Sequence, residues 1–322
     1  MKSENGIVFY GTPDFAVASL EALVDSGFDI IGVVTAPDRP AGRGLALKES
    51  PVKKFAISRN IPVLQPEKLK SPDFFDAITA LNPVLQIVVA FRMLPKQIWD
   101  LPSMGTFNLH ASLLPDYRGA APINHAVING ETETGVTTFL IEEEIDTGNI
   151  LFSEKTEIGA EETAGELHDR LMKIGAALVV KTTTMILEGF YTSIPQLEMM
   201  KVDTPSKLAP KLSKDHCRID WNNDVVAVMN LIRGLSPYPA AFSELTDLNG
   251  HSHYTRIFRS SVELIEHEFY PGEVFSDGKS YLKIAVKNGF IHLLQLQPEG
   301  RRMMQIEEFL RGYGRLFMRI PT

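Results

Sequence analysis

Apolar runs and apolar periods alternate along the first 190 residues. Residues 6–11 form a short, continuous apolar run closed by glycine, the pattern of a strand buried on both faces. Phe15, Val17, Leu20, Leu23 and Val24 then recur at helical spacing, with Thr12 read as a cap and Pro13 as the first helical residue. Residues 29–35 are a second β-branched run. Strand, helix, strand at this spacing predicts a βαβ unit and a parallel sheet covered on both sides. The pattern continues with helices over 51–60, 73–81, 120–129 and 163–188, a helical turn over 95–99, and strands over 62–65, 84–90, 107–112, 134–141 and 150–158. Periodicity is lost over 190–207, which holds Pro195 and Pro205 and reads as a linker. After a helix over 224–233 the rhythm changes to short strands over 240–245, 254–264, 272–276, 281–287 and 290–296. Asp247 to Gly250, Asp277-Gly278 and Asn288-Gly289 are the turn signals between them, and a helix over 306–313 closes the chain. The reading is an α/β chain: a Rossmann-like, mostly parallel sheet domain (1–189), a linker (190–207) and a small OB-like β-barrel domain (208–322). Barrels of that type host many functions, so the fold does not by itself establish nucleic-acid binding.

Two stretches do not fit this rhythm. The first is 37–50, which is long for a strand-to-helix connection and carries Pro37, Pro40, Gly42 and Gly44. It reads as a mobile surface loop, and its cations Arg39, Arg43 and Lys48 suit phosphate contact. An insertion without a role is the other reading. Common phosphate-cradling loops are excluded: Gly11 is followed by Thr-Pro-Asp-Phe rather than spaced glycines, and no Gly-x-x-x-x-Gly-Lys-Ser/Thr occurs.

The second stretch is 107–119. Asn108, His110 and Ser112 alternate with Phe107, Leu109 and Ala111, so an amide, an imidazole and a hydroxyl share one strand face before Pro115 and Gly119 break the pattern. A half-exposed edge strand has the same alternation. A polar row entering a loop at a strand's carboxyl end is also where open α/β sheets bind ligands, and Phe91 to Leu94, after the strand over 84–90, is a second such place. Asp146 sits in an Asp-Thr-Gly turn that fixes a carboxylate, whereas Glu142, Glu143 and Glu144 read as a solvated run. An amide, an imidazole and a carboxylate suit attack of a neutral amine on a carbonyl. The donors stabilise the developing oxyanion, and the carboxylate–imidazole pair takes the proton.

Composition narrows the classes. The chain of 322 residues is 44% hydrophobic and 22% charged, ordinary values for a globular protein, with no apolar run of membrane-spanning length and no signal-peptide pattern at its start. A single cysteine, Cys217, leaves no intrachain disulfide, and the expectation is a cytoplasmic protein with an inert thiol. The remaining histidines lack metal-ligand spacing. A formal net charge of −8 argues against sequence-blind nucleic-acid binding, which needs a broad positive field. Residues 41–70 are nonetheless locally positive, with Arg43, Lys48, Lys53, Lys54, Arg59, Lys68 and Lys70 against Glu49 and Glu67. That suits either a specific nucleic-acid contact or a solvated helix face.

Asn108-Leu-His110-Ala-Ser112-Leu-Leu-Pro115-Asp-Tyr-Arg118-Gly119, followed by the Ile-Asp-Thr-Gly ending at Gly148, resembles the folate-dependent formyltransferases. The resemblance implies catalytic roles for Asn108, His110 and Asp146, and folate contacts from Ser112, Leu113, Leu114 and Pro115. It adds Phe91 and Leu94 from a segment one residue shorter than the common family version, which has a tyrosine and a glycine there. Residues 11–15, 37–44, 211–221 and 294–302 resemble the branch of the family that acts on initiator tRNA, so the resemblance covers nearly the whole chain. It implies tRNA contacts from Arg39, Arg43 and Lys48, 10-formyltetrahydrofolate as co-substrate, methionyl-initiator tRNA as acceptor, no metal, no membrane and no obligate protein partner. The competing readings are a formyltransferase for an amino-sugar nucleotide, a non-catalytic RNA-binding protein, and a hydrolase that releases formate.

Overall fold

The computed structural model describes residues 5–41, 46–200 and 206–320. These divide into two compact units, one of residues 1–119, 133–157 and 168–208, the other of 120–132, 158–167 and 209–322. The first unit begins β1 (Ile7–Gly11), α1 (Asp14–Asp25), β2 (Ile30–Val34), β3 (Arg39–Ala41), β4 (Ala46–Lys48) and α2 (Pro51–Ser58). It continues β5 (Val63–Leu64), α3 (Pro72–Leu81), β6 (Leu85–Val89), α4 (Lys96–Trp99), β7 (Thr106–His110) and β8 (Arg118–Gly119). After α5 (Pro122–Ile128), which belongs to the second unit, come β9 (Glu133–Leu140), β10 (Ile150–Glu157), α6 (Ala164–Glu188), α7 (Gln196–Met199) and β11 (Leu208–Ala209).

Seven strands form one sheet in the order β10-β9-β7-β6-β1-β2-β5. From β7 to β5 every pairing is parallel, and β9 and β10 close the other edge antiparallel. The apolar runs are the reason: β1 and β6 are buried at every position, so both of their faces need a helical cover. One face carries Val8, Tyr10, Val34 and Val88 against Phe74 and Ile78 of α3 and Ile98 of α4. On the opposite face Leu109 meets α6, where a Cβ on Gly175 would stand 2.7 Å from the leucine side chain.

Helix starts follow local chemistry. Ser50 caps α2 by accepting the Lys53 N–H at 3.0 Å, with Pro51 at the first helical position. Helix α1 starts one residue later than the Thr-Pro pattern predicts: Pro13 is the cap, no side chain caps it, and Asp14 supplies the negative charge favoured in a first turn. The stretch 37–50, read as a loop, is an antiparallel hairpin at its two ends, β3 with β4. The stretch read as a linker contains α7 and is bridged to β10 through Ile150 and Ile194.

In the second unit α8 (Val225–Leu235) precedes β12 (Ala241–Thr246), β13 (Ser252–Leu264), β14 (Val274–Ser276), β15 (Leu282–Val286), β16 (Gly289–Pro298), β17 (Met304–Gln305) and α9 (Ile306–Phe317). The strands form a curled antiparallel sheet in the order β12-β13-β16-β15-β14, with β17 on β16. Ile257, Ile284, Ile291 and Leu296 of the sheet pack with Val228 and Ile232 of α8 and Phe309 and Phe317 of α9. Cys217 is buried in this core, where burial pushes its thiol pKa up, consistent with an unreactive side chain.

Candidate active site

Strand β7 lies between parallel β6 and antiparallel β9, with Asn108 opposite Phe139 and His110 opposite Thr137. Alternation turns Phe107 and Leu109 to one face, both buried, and Asn108 and His110 to the other. Asn108 is half-buried, and no protein group among the described residues bonds its side-chain amide. Both of its N–H donors are therefore open to a bound molecule.

His110 is 7% exposed, with one ring nitrogen hydrogen-bonded and the other facing a carboxylate. Its Nε2 lies 2.8 Å from the Tyr117 carbonyl oxygen. A carbonyl only accepts, so Nε2 carries the hydrogen and the neutral ring has its lone pair at Nδ1. Nδ1 faces Asp146 Oδ2 at 3.9 Å, longer than a direct hydrogen bond. The side chains are 8% and 14% exposed, so water screens the pair weakly. A proton gained at Nδ1 would be stabilised by that carboxylate.

Asp146 comes from the turn between β9 and β10 and reaches the site because those strands lie beside β7. Its backbone is left-handed, φ +56°, a conformation aspartate tolerates better than most residues. The Gly119 N–H donates to Oδ2 at 3.1 Å and fixes the carboxylate. Two residues on, Gly148 has no substitute: a Cβ there would lie 1.7 Å from the Leu140 carbonyl oxygen, so only glycine lets the turn fold back on the end of β9.

Three further residues set this geometry. Gln196 is 2% exposed; its Nε2 donates to the Asp146 and Gly148 carbonyls at 2.9 and 2.8 Å, while its Oε1 accepts from Arg118 Nε and Nη2 at 3.0 and 2.6 Å. It ties the Asp146 turn to the loop after β7. Thr137 donates its hydroxyl to the Ser112 carbonyl at 2.7 Å and accepts the Leu114 N–H at 3.2 Å, which pins the Ser112-Leu-Leu-Pro115 turn to β9. Tyr117, whose carbonyl orients His110, is left-handed at φ +61° and donates its N–H to the Lys207 carbonyl at 2.6 Å. Of these, Thr137 lay in a threonine-rich strand and Tyr117 inside the singled-out stretch 107–119, though neither was marked by itself. Gln196 lay in a segment without period, where nothing marks a single buried glutamine.

The proposed folate contacts divide by exposure. Leu113, Pro115 and Phe91 are half-buried. Ser112, Leu114 and Leu94 are 1%, 3% and 5% exposed. The Ser112 hydroxyl donates to the Asp116 carbonyl at 2.7 Å, Leu114 packs on Phe139 and Ile150, and Leu94 packs with Tyr10 and Ile98. These three hold the loops in shape, and a contact to a ligand there falls to backbone groups. Ala90 is left-handed at φ +47°, and Arg92 donates to the Pro66 and Glu67 carbonyls at 2.8 and 3.2 Å, fixing the start of the segment that carries Phe91. Arg39 and Lys48 are exposed and directly opposite each other on the β3–β4 hairpin. That hairpin follows β2, three strands along the sheet from β7. Arg43 lies outside the described residues. No group of three His, Cys, Asp or Glu side chains among the described residues is arranged to hold a metal ion, and no helix is long and apolar enough to cross a membrane.

Two family models match the chain: formyl transferase over residues 5–183 and formyl transferase, C-terminal domain, over residues 211–314. The methionyl-tRNA formyltransferase of Bacteroides fragilis is 50% identical over 314 residues, 97% of each chain. That of Parabacteroides distasonis is 50% identical over 318 residues, 98% of each chain. Among solved structures, an N-formyltransferase from Helicobacter canadensis superposes with a TM-score of 0.64 at 22% identity, covering 90% of this chain and 99% of the other. A sugar 3N-formyl transferase gives 0.63 at 22% identity, covering 93% and 100%. These structural likenesses carry the fold.

Proposed function

The chain belongs to the formyl transferase family, and from that premise we propose that it moves the formyl group of 10-formyltetrahydrofolate to the free amino group of methionyl-initiator tRNA. Half-identity along almost the full length to methionyl-tRNA formyltransferases supports this acceptor over an amino-sugar nucleotide. It equally disfavours a non-catalytic RNA binder and a formate-releasing hydrolase. The observation that carries the chemistry is the convergence of an uncommitted amide, a buried imidazole of defined tautomer and a fixed carboxylate at the carboxyl end of β7.

The co-substrate supplies an activated formyl carbonyl. The half-buried Phe91, Leu113 and Pro115 offer apolar edges to its flat heterocycle, and the turn of Ser112 and Leu114 offers backbone groups; the rims of β6 and β7 fit such a molecule. When the amine attacks, negative charge grows on the formyl oxygen, and the Asn108 amide donates to it. The proton that the attacking nitrogen sheds passes to Nδ1 of His110, the ring nitrogen with the free lone pair, which donates it to the formyl oxygen and then to the departing folate nitrogen. Asp146 faces Nδ1 at 3.9 Å and stabilises the imidazolium while the proton moves through a water. No covalent enzyme intermediate is needed. Arg39, Arg43 and Lys48 contact the acceptor RNA by its phosphates, residues 208–322 provide further RNA-binding surface beyond the catalytic domain (1–189) and linker (190–207), and the reaction takes place in the cytoplasm, where initiator tRNA is used.

The deciding experiment offers the purified chain 10-formyltetrahydrofolate with methionyl-tRNA or with an amino-sugar nucleotide, beside Asn108→Ala, His110→Ala and Asp146→Ala variants. Formylation of the tRNA alone, lowered about 10²-fold or more by each substitution, is expected. Transfer only to the sugar, or near-wild-type rates in all three variants, would overturn the reading.

A further inference from the structure

The β3–β4 hairpin presents an electrostatic contradiction. Arg39 and Lys48 are directly opposed across the two strands, so their side chains share one face. Like charges in that position repel, and neither has a carboxylate partner among the described residues. The strands are three residues each, too short to stand as an independent hairpin. Something at the base must hold what the strands themselves do not.

That hold is a knot of side chains centred on Lys53, on the first turn of α2. Its ammonium donates to Asp38, immediately before β3, and to Glu49, immediately after β4, the latter at 3.0 Å. One cation thus bonds both feet of the hairpin. Asp38 also accepts the Gln65 amide at 2.8 Å, and the same amide donates to the Ala36 carbonyl at 2.8 Å. The Thr35 and Ser50 hydroxyls, which flank the whole insertion, bond at 2.7 Å, while Ser50 caps α2 on the Lys53 N–H. Lys53 is 15% exposed, Asp38 23% and Glu49 40%, so the Lys53–Asp38 pair is partly sheltered and Glu49 closes the knot from the surface. The hydrogen bond from Lys53 lowers the Asp38 pKa, and the bonds to Asp38 and Glu49 raise that of Lys53, so Lys53 and Asp38 both stay charged across the neutral range.

We propose that Lys53 is a positioning residue for the acceptor RNA: it locks the feet of the hairpin so that Arg39 and Lys48 stand side by side to grip successive phosphates. This inference rests on the acceptor reading above. An RNA backbone relieves the Arg39–Lys48 repulsion, and a hairpin whose foot is already locked loses little conformational freedom when it binds. Lys53 itself is turned inward to two carboxylates and does not touch the RNA.

The test measures steady-state constants for both substrates in the full-length wild type, Lys53→Met, Lys53→Arg, Asp38→Asn, Arg39→Ala/Lys48→Ala and the triple combination. Lys53→Met should raise KM for methionyl-tRNA about tenfold, leaving KM for 10-formyltetrahydrofolate and the saturating kcat within about twofold. Lys53→Arg, which keeps a multivalent donor, should recover most of the loss. Asp38→Asn should shift the same constant in the same direction, which guards against a folding defect peculiar to one variant. In the Arg39→Ala/Lys48→Ala background, Lys53→Met should add nothing further, because the cations it positions are gone. An unchanged acceptor KM, a shift in both substrates alike, or full additivity in the triple variant would overturn the proposal; the last would mean that Lys53 meets the RNA directly. If Arg39→Ala/Lys48→Ala alone leaves the acceptor KM unchanged, the hairpin is not an RNA contact, and the proposal falls while the catalytic reading stands.

Discussion

Replacing Asp146 by asparagine isolates one charge. The new side chain keeps an oxygen for the Gly119 N–H, so the turn stays in place and only the negative charge facing His110 is lost. At 3.9 Å and an effective dielectric of about 20, suited to side chains 8% and 14% exposed, a carboxylate stabilises an imidazolium by about 4 kcal/mol. Fully screened by water, the same pair would be worth about 1 kcal/mol. Since about 1.4 kcal/mol is a factor of ten in rate, the sheltered geometry predicts a fall in kcat of about 10³-fold and the screened case less than about tenfold. The assay is single-turnover formylation of methionyl-tRNA at saturating co-substrate, with KM for both substrates and the thermal midpoint measured in parallel. Both KM values and the midpoint should stay close to wild type. In a His110→Ala background the same substitution should cost little more, because the ring through which the charge acts is absent. A fall below about tenfold in the single variant, or full additivity in the double, would refute the account of Asp146 as a charge acting through His110.

Other consequences follow from buried groups. Thr137→Val strips the Ser112 carbonyl and the Leu114 N–H of their shared partner; a loss of about 1–3 kcal/mol in denaturant titration and a raised KM for the folate are expected, and an unchanged KM would free that turn of a binding role. Tyr10 is fully buried, its hydroxyl has no hydrogen-bond partner among the described residues, and burial pushes its pKa upward, so Tyr10→Phe should leave stability unchanged or raise it by about 1 kcal/mol; a loss of that size would reveal a partner for the hydroxyl. In the second unit the hydrogen bond from His253 to Asp247 at 3.0 Å, with the His251 and Asn249 N–H groups, lowers the Asp247 pKa from 3.8 to about 2. The unfolded chain then binds protons that the folded chain refuses, so stability present above about pH 4 is lost as pH falls toward about 2. Acid titration of Asp247→Asn should show a shallower loss over that window, and an identical acid limb would contradict the assignment.

Much of the first unit was legible in the chain because its strands are buried on both faces and so appear as unbroken apolar runs. The runs at β1 and β6 and the periods at α1 and α3 stand out without tertiary knowledge. The five main strands of the second unit were legible from Asn-Gly and Asp-Gly turns between alternating segments. The paired ends of the 37–50 insertion were not legible, because strands of three residues with opposed cations, set in a stretch with two prolines and two glycines, carry no period, and their stability comes from Lys53 on a neighbouring helix. For the same reason α7 went unread: a four-residue turn has too few positions to show a face.

In the site itself, Asn108 and His110 were readable as one polar strand face, since alternation is a local property of the backbone, and the Asp-Thr-Gly turn marked Asp146 as a fixed carboxylate. The family resemblance added the chemistry those groups serve. Sequence alone could not supply the 3.9 Å between His110 and Asp146, which exists because the turn that leaves β9 beside the amino end of β7 folds back toward His110 and is tied there by the Gly119 N–H and Gln196. Nor could it supply the tautomer of His110, which depends on a carbonyl seven residues away, or the grip of Gln196, which lies fifty residues beyond the carboxylate it steadies. Local pattern reports which way a side chain faces. Which groups meet is set by long-range strand pairing and by a handful of hydrogen bonds between segments far apart in the chain, and neither leaves a periodic trace in the order of residues.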